Sequence, residues 1–240
     1  MRLLAPLTAA DRELWYRGHR DRTWQLEPST FRNVEHRRNE RAMLARFRQE
    51  AAATGLQYAF DEWGWMAFAQ HHALPTRLLD WSQSPLVALY FACEETAELD
   101  GVEPDGEFFA LYPNELNREA GDADEGHPLL LSDSEAVLGD YLPGRDAANR
   151  RKPRAVVAPL VFDRIRFQTG TFTITQAQLD GGDPEPLRRT TCLQSFLVPG
   201  ASKRLLREQL ETLGFSEATI YRDLDRIAVR IKDLHARRMA

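Results

Sequence analysis

Three short clusters pair the end of an expected strand with residues able to do chemistry. The first is Tyr16-Arg17-Gly18. Arg17 is planar and permanently charged, so it suits bidentate contact with a diphosphate. Gly18 permits a close backbone approach or a positive φ. The second is "PTRLLDWSQSP", residues 75–85, which holds Thr76, Arg77, Asp80, Trp81, Ser82 and Ser84. The third is "RIRFQTGTF", residues 164–172, where Gln168 and Gly170 interrupt a β-branched and aromatic run. A glycine there marks a bulge or a place where a ligand comes near. Each cluster also has a purely structural reading. Arg17 could pair with a carboxylate, Ser84 could simply cap a helix, and Gln168 could face solvent.

Other chemistries lack their signatures. No GxxxxGK[ST] is present and no GxGxxG follows a strand, which argues against a P-loop or a Rossmann site. HExxH and GxSxG are missing as well. His71 and His72 are adjacent, so their side chains diverge on a helix or a strand, whereas a metal pair favours i, i+4. No metal site is expected.

The elements that must position these clusters can be read from pattern. "LWYRGH" reads as a short strand, and "RTWQLEPSTFR" as a strand broken by Pro28. Residues 35–54 are rich in helix formers, with Met43, Leu44, Phe47 and Ala51 on one face and Gly55 as a stop. Asp61 is placed to cap a following helix that ends by Pro75. Thr76 to Trp81 reads as a buried strand. Ser82 or Ser84 then caps a helix with Pro85 in its first turn, and Leu86, Leu89, Tyr90 and Cys93 form its core face. "EFFALYP", "AVVAPLVF", "RFQTGTFTITQ" and "LQSFLVPG" read as further strands, with residues 114–154 between the first two irregular, with room for a short helix and a cleft-lining role. Ser202 opens a helix with Leu205, Leu206, Leu210 and Leu213 on one side, and Ser216 caps a last one. Without steady βαβ alternation the class is α+β, a mixed or antiparallel sheet core flanked by helices. One domain over 1–240 is expected, its core about 12–200 and a C-terminal helical hairpin about 202–236.

Bulk properties narrow the setting. No run reaches eighteen apolar residues, and the first residues lack a signal peptide's apolar core, so neither a membrane span nor export is expected. Two isolated cysteines, Cys93 and Cys192, suggest a reducing, cytoplasmic compartment. The net charge of −5 is unevenly spread: +4 over residues 1–50, −2 over 51–93, −14 over 94–146 and +7 over 147–240. Two basic ends could converge on one phosphate-bearing ligand.

Taken together, Tyr16-Arg17-Gly18, "QHHALPTRLLDWSQSPLVALYFA" (70–92), "RIRFQTGTFTI" (164–174) and the weaker tail 202–228 resemble the FRG domain, a bacterial and phage family. By analogy, the order of these motifs looks like the three-part site of R-S-E type ADP-ribosyltransferases. That resemblance implies an ADP-ribosyltransferase-like fold and NAD as substrate. Arg17 would hold the diphosphate, and Ser82 or Ser84 would brace the arginine and the nicotinamide ribose. Trp81 or Tyr16 would stack on nicotinamide. Gly18, Thr76, Arg77 and Gly170 would line the cofactor. Gln168 would stand where the template has a glutamate. An amide can bond a ribose hydroxyl but supplies no negative charge. Asp80 is the candidate to carry that charge, or else it is a buried partner for Arg17 or Arg77.

The expected activity is ADP-ribosyl transfer from NAD, or NAD hydrolysis, by a toxin or antiphage effector acting on a protein or nucleic acid. A non-catalytic nucleotide- or partner-binding sensor of a defence system is the alternative. A helix–turn–helix reading of residues 206–227 is weakened by Glu217, Asp223 and Asp225, which phosphates would repel.

Overall fold

Short polar side chains start three of the helices of the computed structural model, which describes residues 13–55, 59–97, 102–121, 127–131, 135–145, 152–158, 171–176 and 186–221. Asn33 accepts from the backbone N–H of Glu35 and His36 and opens α1 (Val34–Ala53). Asp61 accepts from Gly64 N at 2.7 Å and opens α2 (Glu62–His71). Ser84, not Ser82, caps α3 (Pro85–Cys93), accepting from Val87 N with Pro85 in the first turn. Each cap satisfies donors that have no partner inside the helix.

The chain divides into two compact units. The described residues of the first fall within 13–15, 25–83 and 110–194. It contains α1, α2, β2 (Leu78–Trp81), α4 (Pro113–Glu119), β4 (Leu129–Leu130), α5 (Glu135–Leu138), β5 (Arg154–Val157) and β6 (Thr171–Ile174). Its sheet runs β2-β6-β5-β4, antiparallel except for the parallel β4–β5 pair. Trp81 stands opposite Thr171 and Asp80 opposite Phe172, so the strand that ends the third motif is hydrogen-bonded to the strand of the second. Trp63, Met66, Leu78, Val156, Phe172 and Ile174 fill the core between α2 and the sheet.

The second unit holds described residues 16–24, 84–97, 102–109 and 195–221. To it belong α3, α6 (Gly200–Thr212), α7 (Glu217–Tyr221) and most of a three-stranded sheet, β1-β3-β7. These strands are β1 (Trp15–His19), β3 (Gly106–Leu111) and β7 (Leu193–Val198). The α+β class is as expected.

Several local expectations need correction. Residues 22–28 form turns rather than a strand, and Ser29–Arg32 is one 3-10 turn. Residues 114–154 hold the short helices α4 and α5 among irregular stretches, and Leu131, Leu138 and Tyr141 from this region are buried in the first unit's core. In α3 the buried residues are Ala88, Ala92 and Cys93, while Leu86, Leu89 and Tyr90 are only half-buried. Ser202 lies inside α6, which begins at Gly200 after Pro199. Leu205 and Leu213 are exposed, and the buried side chains of that helix are Lys203 and Leu210. Of the expected last helix, Glu217–Tyr221 is described; the remainder lies outside the described residues.

Cys93 and Cys192 are free and buried, and burial pushes both thiols up to about 11. Their folded-state values lie above the unfolded value of 9.0, so the stabilisation is fully present below pH 9 and is lost as pH rises through about 11. Two outcomes are expected: the urea midpoint falls between pH 9 and 11, and iodoacetamide at pH 8 labels neither thiol until urea is added. Rapid labelling of the native protein would contradict the burial. No helix of the described residues is long and apolar enough to cross a membrane.

Candidate functional site

In the second unit the site grows from β1. Arg17 is half-buried, and its Nε donates to His19 Nε2 at 3.1 Å. An arginine can only donate, so that imidazole nitrogen is an acceptor and His19 is the neutral tautomer protonated on Nδ1. The ring is 2 % exposed and stands edge-on to Phe109 at 5.1 Å. This contact orients the guanidinium. Tyr16, one residue earlier, is tilted against Phe108 at 5.7 Å.

Gly18 has a steric task. A Cβ there would overlap the backbone of α3 at Ala88 O and Ala92 N. Gly106 of β3 meets the same helix, where a Cβ would overlap Ala92 O. Two glycines facing two alanines let β1 and β3 lie flush on α3. This is why the small residues of that helix, rather than its leucines, form its buried face. The strand bearing Arg17 and the helix capped by Ser84 are therefore brought together by backbone packing. What approaches Gly18 is the helix.

From the other side α6 fixes the residues that follow the motif. Lys203 is fully buried, and its Nζ donates to Arg20 O at 2.5 Å. Burial lowers its pKa, a fall partly opposed by the Glu103 carboxylate and the Cys93 thiol. Arg207 donates to Cys93 O at 2.7 Å and to both oxygens of Glu103, at 2.9 and 2.5 Å. Those bonds hold the Glu103 carboxyl below its ordinary range. One helix thus pins the end of β1 and the end of α3. Lys203→Ala removes the tie and leaves Arg20 O unpaired, a cost of about 1–3 kcal/mol. A shift in the urea midpoint measures it, and an unchanged midpoint would show that α6 does not hold the turn.

In the first unit the second motif is largely structural. Arg77 is 1 % exposed, and its Nε and Nη2 grip the Glu40 carboxylate while Nη1 donates to Tyr141 O at 2.6 Å. Glu40 also accepts from Arg77 N at 3.0 Å. With its guanidinium so engaged in the core, Arg77 is not a cofactor-binding residue. Nor is Trp81 a stacking surface, since its ring is 3 % exposed and its Nε1 donates to Thr173 Oγ1. Thr76 is likewise buried, and its hydroxyl donates to Gln70 Oε1 at 2.6 Å. Gln70 passes the bond on, and its Nε2 donates to Asp80 Oδ2 at 2.6 Å. Asp80 is thereby an exposed carboxylate oriented through a buried threonine, rather than a core partner of Arg77. Ser82 and Ser84 are half-buried. Gln168 and Gly170 lie outside the described residues.

Residues 12–101 match the family model of the FRG domain. The chain carries an FRG domain. The matched span includes Tyr16-Arg17-Gly18, Glu40, Gln70 and the whole of residues 70–92, whereas the third motif and α6 lie beyond it. No curated protein and no solved structure matches the chain.

Sequence reasoning missed His19, Glu40, Gln70 and Lys203. Gln70 and His19 stood within or beside the motifs, but their bonds depend on which side chains meet in space. Glu40 carried no distinguishing signal, since Glu35 and Glu50 lie in the same arginine-rich helix. Among the described residues, no group of three or more His, Cys, Asp or Glu could hold a metal ion.

Proposed function

We propose that this FRG protein is an ADP-ribosyltransferase-like enzyme that uses NAD as substrate, acting as a toxin or antiphage effector on a macromolecule. The observation that carries the reading is the state of Arg17. It is half-buried and aimed by a neutral imidazole on a strand packed flush against the Ser84-capped helix. A diphosphate is the ligand that a fixed, permanently charged fork serves best.

Transfer breaks the bond between nicotinamide and ribose C1′. Nicotinamide leaves with the bonding pair as a neutral base, and an acceptor oxygen or nitrogen bonds C1′ and gives up its proton. Holding the diphosphate limits the ways in which the ribose can lie. The positive charge developing on the ribose calls for a carboxylate, and Asp80 is the candidate that the order of the motifs names. Gln168 would bond a ribose hydroxyl.

Arg17→Ala is expected to weaken NAD binding about 10- to 100-fold, the worth of one charged hydrogen bond. Calorimetric titration measures this directly. Asp80→Asn should keep binding and lose nicotinamide release. Undiminished NAD affinity in the Arg17 variant would remove the basis of the reading. Binding without release in the unaltered protein would favour the non-catalytic sensor, a role consistent with an amide in the third motif.

A further inference from the structure

The turn after Arg17 holds a tryptophan in water. Trp24 is 40 % exposed. Single exposed apolar residues are common, so exposure alone carries nothing. What distinguishes Trp24 is the rigidity of its support. Trp24 N donates to Asp21 O at 3.2 Å, and Thr23 donates to Asp21 Oδ1 from its N–H at 2.9 Å and its hydroxyl at 2.7 Å. Those bonds hold the Asp21 carboxyl below its ordinary range, with the hydroxyl the largest cause. Arg22 N donates to Asp105 O at 2.8 Å, and Lys203 Nζ holds Arg20 O. A turn tied down at this many points presents the indole in one place. A ligand ring that stacks on it meets little ordering cost.

The neighbours of the ring specify the ligand. The guanidinium of Arg20 lies over the indole, 5.1 Å from its centroid, and is itself held by Glu94 at 3.4 Å. His19 lies 6.1 Å from the indole, and the same imidazole accepts from Arg17 Nε. Trp24 and Arg17 are thus joined through a single ring. That places an aromatic surface and the Arg17 guanidinium within the span of one nucleotide. The Arg20 cation discriminates between the two bases of NAD. The nicotinamide ring is cationic and is repelled, while adenine is neutral and has a π-face to offer.

We propose that Trp24 is the stacking platform for the adenine base of NAD, a proposal that rests on Arg17 holding the diphosphate. The test is titration of NAD, ADP-ribose and nicotinamide mononucleotide into the unaltered protein, Trp24→Ala, Trp24→Phe and Arg17→Ala. Loss of base stacking lowers affinity about 5- to 150-fold, the range for one base on one aromatic side chain. Trp24→Ala should show that loss for NAD and ADP-ribose but not for nicotinamide mononucleotide, which has no adenine. Trp24→Phe should recover most of it. If Trp24→Ala binds NAD within twofold of the unaltered protein while Arg17→Ala binds it at least about tenfold more weakly, the platform is wrong and the diphosphate site stands. If the unaltered protein binds neither NAD nor ADP-ribose, both fall. A uniform loss for all three ligands would mean that the turn has collapsed, and would overturn the adenine assignment.

Discussion

Glu40→Ala is expected to destabilise the protein by about 3–5 kcal/mol, because it strands the buried guanidinium of Arg77 without its counter-charge. Glu40 is 1 % exposed and makes the closest contact of the pair at 2.7 Å, so water cannot take over its role. The site links the middle of α1, the entry to β2 and, through Tyr141 O, the segment after α5. Its loss should therefore unfold the first unit as a whole rather than fray one end. Arg77→Met alone should also be costly, since it leaves a carboxylate buried. The double variant Glu40→Leu with Arg77→Met should recover much of the loss, because apolar replacement of both partners is often neutral or better. Urea unfolding of the three variants measures this. A Glu40→Ala cost below about 1 kcal/mol would mean that the pair is hydrated in solution.

Gly18→Ala is the second large effect, and it arises from space rather than charge. The added methyl would overlap two backbone atoms of α3, Ala88 O and Ala92 N, neither of which can swing aside like a side chain. Inserting one carbon into a well-packed interior costs about 1–3 kcal/mol, and a clash with helix backbone belongs at the top of that range or above it. β1 must lift from α3, and Arg17 moves with it. Ligand binding should therefore fall even where the variant still folds. Gly139→Ala serves as the control, because a Cβ at that position meets nothing within 4 Å and should change stability by less than about 1 kcal/mol. Equal stability of the two alanine variants would show that β1 is not seated on the helix.

These cases show what the sequence could and could not carry. Strand, cap and helix around residues 78–93 were legible because Ser84-Pro85 is a local start signal and the strand is a short apolar run. α1 and α2 followed from composition and from Asp61. The buried face of α3 was not legible by hydrophobicity. Its neighbours are glycines far away in sequence, so the two small alanines pack more closely than the leucines can. Lys203 defeated pattern reading in the same way. A lysine reads as solvated until a carbonyl from residue 20 meets it in the core. At the candidate site, Arg17 and Gly18 were singled out as residues, but only the first of them keeps a ligand-facing assignment. Arg77 and Trp81 looked like site residues because they sit in a specific motif. Their burial shows that a motif can be rich in residues that hold the fold.

The measurement that tests the account most directly is nicotinamide release from NAD by the purified protein, with and without bacterial lysate as a source of acceptor. Arg17→Ala and Asp80→Asn would be run alongside, after each is shown to melt near the unaltered protein. The expected result is release that Arg17→Ala reduces at least about tenfold and Asp80→Asn abolishes, with labelled ADP-ribose appearing on a macromolecule in the lysate arm. No release in either arm, or release that both substitutions leave unchanged, would contradict it.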